Sequence, residues 1–193
     1  TTLQGLCAAA CTRRNHLDYR AALVAHSTEG MKACLDDFLS RENRPDILVG
    51  QGFCDDERSC VFVFSGQGSQ WNGMARELLE HEPVFRSTLE RCEQAMQQHV
   101  EWSLFEQLAA DGNESRYGEI DVIQPVVFAI QIGLASLWRS WGIEPEAVVG
   151  HSMGEVAAAH VAGALGLEDA ARVICARSRV LKQLSGRGGM AVV

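Results

Sequence analysis

One stretch constrains this chain more than any other: Ala147-Val148-Val149-Gly150-His151-Ser152-Met153-Gly154-Glu155. A short apolar run ends in Gly-x-Ser-x-Gly, and an alanine-rich segment from Val156 to Ala164 follows at once. Apolar run, paired glycines and small-residue helix former predict a strand, a sharp turn and a helix. Gly150 and Gly154 give the backbone room at that turn. Ser152 then projects from it, with the unpaired N–H groups of the next helix behind it. Those groups and the helix dipole favour negative charge beside the hydroxyl, which makes Ser152 a candidate nucleophile.

Composition narrows the partners. A formal net charge of −8 argues against nucleic acid. No apolar run is read as long enough to span a bilayer, so no membrane partner is expected. The start, Thr1-Thr2-Leu3-Gln4, has neither an initiator Met nor a signal-peptide pattern, and the chain reads as cut from something longer. The cysteines are Cys7, Cys11, Cys34, Cys54, Cys60, Cys92 and Cys175. Their number is odd and no C-x-x-C occurs, so neither a disulfide framework nor a metal site is expected. Reduced thiols in a cytoplasmic protein are the simplest reading.

Taken in order, the chain predicts an α/β fold in two parts. Residues 1–59 read as a small α/β unit. A helix runs from Thr1 to about Arg13 and a strand from Tyr19 to Ala25. A helix capped by Ser27 runs to about Ser40 with Met31, Leu35, Phe38 and Leu39 as its buried stripe, and Ile47–Val49 form a second strand. His16 and His26 read as surface residues. Asp55-Asp56-Glu57-Arg58 is the expected hinge.

In residues 60–193, Val61–Phe64 read as a strand covered on both faces. The Ser65-Gly66-Gln67-Gly68-Ser69-Gln70-Trp71 loop that follows lacks the Gly-Lys-Ser/Thr of a phosphate loop, and Trp71 stands where a dinucleotide fingerprint needs Gly or Ala. Its glycines instead let its backbone approach another site. Met74–Glu80 and Pro83–Val100 read as amphipathic helices, with His81 and His99 facing solvent. Val122–Trp141 reads as a central buried helix, with Gln124 a candidate to face a site and Gln131 satisfying a local backbone group.

The last helix is expected to bury Ala170, Val173, Ile174, Arg177, Leu181 and Leu184, with Arg172 and Arg179 opposite. Arg177 therefore falls on an apolar stripe. It is either snorkelling to water or a buried cation awaiting a carboxylate, and the cost of an unpaired buried charge favours the second. Gly188–Val193 reads as a further strand.

Gly66-Gln67-Gly68-Ser69-Gln70, Gly150-His151-Ser152-Met153-Gly154-Glu155 and Arg177, in this order and spacing, resemble the acyltransferase domain of modular polyketide synthases and the malonyl-CoA:acyl-carrier-protein transacylases. The resemblance implies that residues 60–193 are the N-terminal portion of an α/β-hydrolase-like acyltransferase core, ending at the first strand of a ferredoxin-like subdomain. It implies that residues 1–59 are a ketosynthase–acyltransferase linker. Ser152 then attacks the thioester of malonyl-CoA or a substituted malonyl-CoA, and the acyl group passes to the phosphopantetheine thiol of an acyl carrier protein. The N–H groups of Gln67 and Met153 form the oxyanion hole, Arg177 binds the free carboxylate, and His151 and Gln124 line the pocket.

The partners implied are the carrier protein, the adjacent ketosynthase and the remainder of the acyltransferase domain. No cofactor is implied beyond the acyl-CoA substrate. The family's catalytic histidine lies downstream of the residues present. His160, eight positions past Ser152, is roughly 12 Å along a helix and too far to replace it. The chain by itself is therefore expected to be inactive, a fragment or one piece of a split domain. Met153 matches neither the glutamine common in methylmalonyl users nor the Ile or Leu common in malonyl users, so the extender unit stays open. Two other readings share parts of the pattern: a serine hydrolase, and a docking fragment of a megasynthase.

Overall fold

The computed structural model describes residues 2–42, 44–52, 60–110, 115–184, 186 and 188. The chain divides into two compact units, Thr1–Arg58 and Ser59–Val193. The Asp55–Arg58 segment lies outside the described residues, as does the expected strand at 188–193 apart from Gly188.

In the first unit, helix α1 (Leu3–Thr12) starts where the Thr2 hydroxyl accepts the Gly5 N–H. Strands β1 (Tyr19–Leu23) and β2 (Ile47–Gln51) pair antiparallel, with Ala21 opposite Val49. Helix α2 (Thr28–Leu39) lies between them in sequence, and the Ser27 hydroxyl caps it at Gly30 N–H. Its buried stripe differs from the expected one. Cys34 is 2% exposed, whereas Leu35 and Leu39 are 46% and 77% exposed. The inward face is Met31–Cys34–Phe38, an i, i+3, i+7 line centred on the thiol, which donates to the Val24 carbonyl of the chain leaving β1. Hydrophobicity alone favours leucine over cysteine, so the expected stripe shares Met31 and Phe38 with the observed face but takes Leu35 in place of Cys34 and adds the exposed Leu39.

In the second unit, β3 (Val61–Phe64) and β4 (Ala147–Gly150) form a parallel pair, Val61 opposite Ala147 and Phe64 opposite Gly150. Between them run α3 (Arg76–His81), α4 (Pro83–Met96), α5 (Leu104–Ala109) and α6 (Ile120–Ser140). After β4 come α7 (Gly154–Val161) and α8 (Leu167–Leu184). Helix α6 is the axis, packed against α4, α5, α7 and α8. Phe85 and Leu89 of α4, Ile123, Val126 and Phe128 of α6, and Ile174 of α8 are all fully buried around it. By length and composition α6 is long and apolar enough to cross a membrane, contrary to the sequence expectation, but most of it is buried inside this unit, as in the core helix of a globular domain.

Three further expectations are corrected. Strand β3 is covered on one face: Phe64 is 5% exposed, while Val61 and Val63 are 48% and 73% exposed. Side chains alternate along a strand, and α7 packs against β3. Helix α4 ends at Met96 rather than Val100, and α5 follows unanticipated. Its signal was present, because Ser103-Leu104-Phe105-Glu106 has the Ser-x-x-Glu form of a capping box and the Ser103 hydroxyl accepts the Glu106 N–H. Helix α8 buries Leu167, Ala170, Ala171, Ile174, Cys175 and Ser178, while Val173 and Leu184 are exposed. The buried stripe is thus rotated by about one residue, and Arg177 sits half-buried at its edge.

Candidate active site

The turn after β4 is built from backbone collisions that only glycine avoids. A Cβ on Gly150 would lie 2.4 Å from Glu155 Cα, and one on Gly154 would lie 2.2 Å from the Phe64 carbonyl oxygen. Helix α7 therefore starts almost in contact with β3 and folds back over the end of β4. The His151 N–H still bonds the Phe64 carbonyl at 2.9 Å, carrying the parallel ladder one residue past β4. The chain then reverses at Ser152, whose φ is 55°, a left-handed conformation that L-residues adopt at a cost of about 1–2 kcal/mol. Gly154 N–H bonds the His151 carbonyl and Glu155 N–H the Ser152 carbonyl, which tie the turn into α7. Ser152 is left exposed, while Met153 beside it is fully buried.

One side chain reaches this hydroxyl, and a line of hydrogen bonds runs behind it to α6 and the glycine-rich loop. Arg177 on α8 donates from Nη2 to Ser152 Oγ at 2.9 Å and from Nη1 to Gln124 Oε1 at 2.7 Å. Gln124 on α6, 3% exposed, donates from Nε2 to Gln67 Oε1 at 3.1 Å. Two helical turns along the same face of α6, Gln131 donates to the Ser65 carbonyl at 2.8 Å. Gln131 thus satisfies a backbone group, as expected, but one far away in sequence. The glycine-rich loop is held at both Ser65 and Gln67 by α6. Among the described residues, neither Gln67 N–H nor Met153 N–H donates to a protein acceptor, and no carboxylate pairs with Arg177.

The histidines divide. The His151 ring lies over Gly66, with Nδ1 2.8 Å from where a Cβ on that residue would stand. His160 bonds the Leu165 carbonyl through Nδ1 at 3.0 Å and takes no part in the site. Arg177 is the one hydrogen-bond partner of Ser152 Oγ among the described residues, so no imidazole is in place to take the serine proton. No group of three His, Cys, Asp or Glu side chains among the described residues is arranged to hold a metal ion.

An ion cluster fixes α8 beside α6 just past the site. Lys182 reaches Glu119 at 2.8 Å and Asp121 at 2.8 Å, and Arg116 reaches Glu119 at 2.7 Å. The donated bonds from Arg116 and Lys182 pull the Glu119 carboxyl down to about 2. These pairs are partly exposed and add little stability. Their placement matters more: they anchor the start of α6 to α8 close to where Gln124 meets Arg177. A cleft of about 650 Å³ lies against this cluster, lined by His99, Trp102, Arg116, Asp121, Cys175 and Arg179 among others. It contains neither Ser152 nor Arg177, and burial pushes its Cys175 thiol up to about 11, away from the thiolate form.

The acyl transferase domain family model matches residues 61–193. This chain belongs to the acyl transferase domain family. The erythronolide synthase EryA2 of Saccharopolyspora erythraea is 46% identical over 182 residues, which cover 94% of this chain and 5% of that synthase. The acyltransferase domain from module 8 of the salinomycin polyketide synthase superposes with a TM-score of 0.85 at 40% identity, covering 96% of this chain and 44% of that one. The acyltransferase domain of SpnD, solved with 2-(pent-4-yn-1-yl)malonyl, gives a TM-score of 0.74 at 25% identity, covering 93% of this chain and 41% of that one. The chain is thus similar to domains of modular polyketide synthases, is an α/β protein like them, and spans less than half of each of these solved relatives.

Proposed function

We propose that the second unit is the N-terminal portion of an acyltransferase that loads a malonyl-type group from coenzyme A onto the phosphopantetheine thiol of an acyl carrier protein. The observation that carries this reading is the 2.9 Å contact between a cation on α8 and a hydroxyl on the strained turn. Ser152 Oγ attacks the thioester carbonyl while its proton passes to a general base. The tetrahedral oxyanion is held by the N–H groups of Gln67 and Met153, an assignment supported by both being without a protein acceptor. The C–S bond then breaks, the coenzyme A thiolate takes the proton, and an acyl-serine remains. Attack by the carrier's thiol reverses the sequence.

Arg177 pairs with the free carboxylate of the acyl group, as a planar guanidinium suits bidentate binding, and has no competing carboxylate among the described residues. A solved relative that holds a substituted malonyl group supports this substrate class. His151 and Gln124 line the same pocket. The general base is expected from the family's downstream histidine, because nothing among the described residues bonds Ser152 as one. Residues 60–193 alone are therefore expected to load no acyl group. Residues 1–59 are read as the ketosynthase–acyltransferase linker, the partners as carrier protein, ketosynthase and the rest of the domain, and the location as cytoplasmic.

Arg177→Ala, made in the domain completed to the length of its solved relatives, tests the reading. Losing a hydrogen-bonded partner of a charged group costs about 1.5–3 kcal/mol, so malonyl loading is expected to fall about 100-fold while acetyl loading is spared. A hydrolase of neutral esters would show no difference between the two acyl groups.

A further inference from the structure

We infer that Gln124 is a positioning residue that sets two parts of the site at once, the carboxylate-binding guanidinium and the oxyanion loop. The inference rests on the transacylase reading and goes further into it. A guanidinium has donors and no acceptor, so the Gln124 amide is obliged to present its oxygen to Arg177, at 2.7 Å. Its NH2 is then left to face the loop, where it finds Gln67 Oε1 at 3.1 Å. The polarity of the whole chain, Arg177 to Gln124 to Gln67, is fixed by the one group that cannot reverse.

Burial makes that polarity consequential. Gln124 is 3% exposed, so water does not replace either bond. An amide deprived of one partner there is left with an unsatisfied buried group. The residue stands on α6, packed on both sides, and the next polar residue on this face, Gln131, holds the same loop at Ser65. The loop is thereby gripped at two points by a rigid helix, and only the Gln124 grip is shared with the cation. Three consequences follow for the Gln124 side chain. It holds Arg177 against Ser152 rather than out in water. It keeps the Gln67 side chain toward α6, which orients the loop that carries the Gln67 N–H. It also ties the two together, so that a carboxylate drawing Arg177 toward itself tensions the same amide that holds the oxyanion loop.

The test uses the completed domain and steady-state transfer from malonyl-CoA and from acetyl-CoA. Gln124→Leu removes both bonds. It is expected to raise the malonyl KM about tenfold and lower kcat about tenfold on both acyl groups, with the acetyl KM unchanged, each effect being that of about one lost charge-assisted or buried hydrogen bond. Gln124→Glu, of the same size, places a carboxylate on Arg177 and lets the Gln67 amide turn to donate. It is expected to restore kcat on acetyl-CoA to within about threefold of the parent while the malonyl KM rises about 30-fold, since an internal ion pair now competes with the substrate.

A merely structural role lowers the active fraction, and so reduces kcat alike for both acyl groups with no change in KM and no rescue by Glu. That result overturns the inference, as does a malonyl KM within twofold of the parent in both variants. Where Gln124→Leu fails to fold, the Glu variant alone carries the KM-against-kcat comparison. Arg177→Ala run alongside separates the two levels. If it leaves malonyl and acetyl equally loaded while the Gln124 variants leave discrimination intact, only the positioning role is lost. If it leaves discrimination itself unchanged, the transacylase reading fails.

Discussion

Replacing Ser152 by glycine is expected to abolish acyl loading and to leave the protein more stable than the alanine variant by about 1 kcal/mol. Both variants lose the hydroxyl and its bond to Arg177, so the comparison isolates the backbone. At φ 55° alanine keeps the crowding between Cβ and the carbonyl that serine has, whereas glycine has no Cβ to crowd. Glycine loses part of that advantage through the freedom it gains in the unfolded chain. Loading in the completed domain is expected to fall by at least about 10⁴-fold in both variants, the scale seen when a serine nucleophile is removed from its base and oxyanion hole. The checks are urea denaturation of the two variants and a single-turnover loading assay. Equal stability of the Gly and Ala variants would mean that the turn holds no strain. Loading that survives both would mean that another residue is the nucleophile.

Gly154→Ala is the second large effect. The added methyl carbon would stand 2.2 Å from the Phe64 carbonyl oxygen and 2.7 Å from both Phe64 C and Ser65 O. All three are backbone atoms, so no rotamer change relieves the clash. Either α7 draws back from β3 or β3 bends, and the first loosens the His151 to Phe64 ladder bond and moves Ser152 with it. Overpacking of this kind costs about 3 kcal/mol or more where the neighbours cannot give. A large fraction of the stability of a domain this size is at stake, and the variant is expected to lose loading as well. A urea midpoint equal to that of the parent would show that α7 is not seated on β3 in this way.

The same collisions explain why the turn was legible in the sequence. Gly150 and Gly154 are dictated by contacts within a few residues of one another and with one neighbouring strand, so their spacing alone announces the turn. Gln124 was legible as a polar residue out of place on an apolar helix, and the structure brings it to Gln67 and Arg177. What escaped the sequence depends on distant partners. The reach of Gln131 to Ser65 spans two elements and leaves no local trace. The face of α8 that turns inward is chosen by its packing on α4 and α6, where small Ala171 and Ser178 fit closer than Val173, so a stripe drawn from hydrophobicity comes out rotated. That rotation is what places Arg177 at the edge of the core, free to reach the hydroxyl. The short helix α5 carried a capping signal at Ser103 but too few residues to show a period.

The central claim is that a hydroxyl and a guanidinium 2.9 Å apart form one site for a charged thioester. It is tested most directly by peptide mapping of the completed domain after brief exposure to equal amounts of malonyl-CoA and acetyl-CoA. The account predicts a malonyl ester on the peptide that contains Ser152, in large excess over acetyl, and loss of that excess in Arg177→Ala. An acyl group on any other residue, or acetyl and malonyl taken up equally by the parent protein, would contradict it.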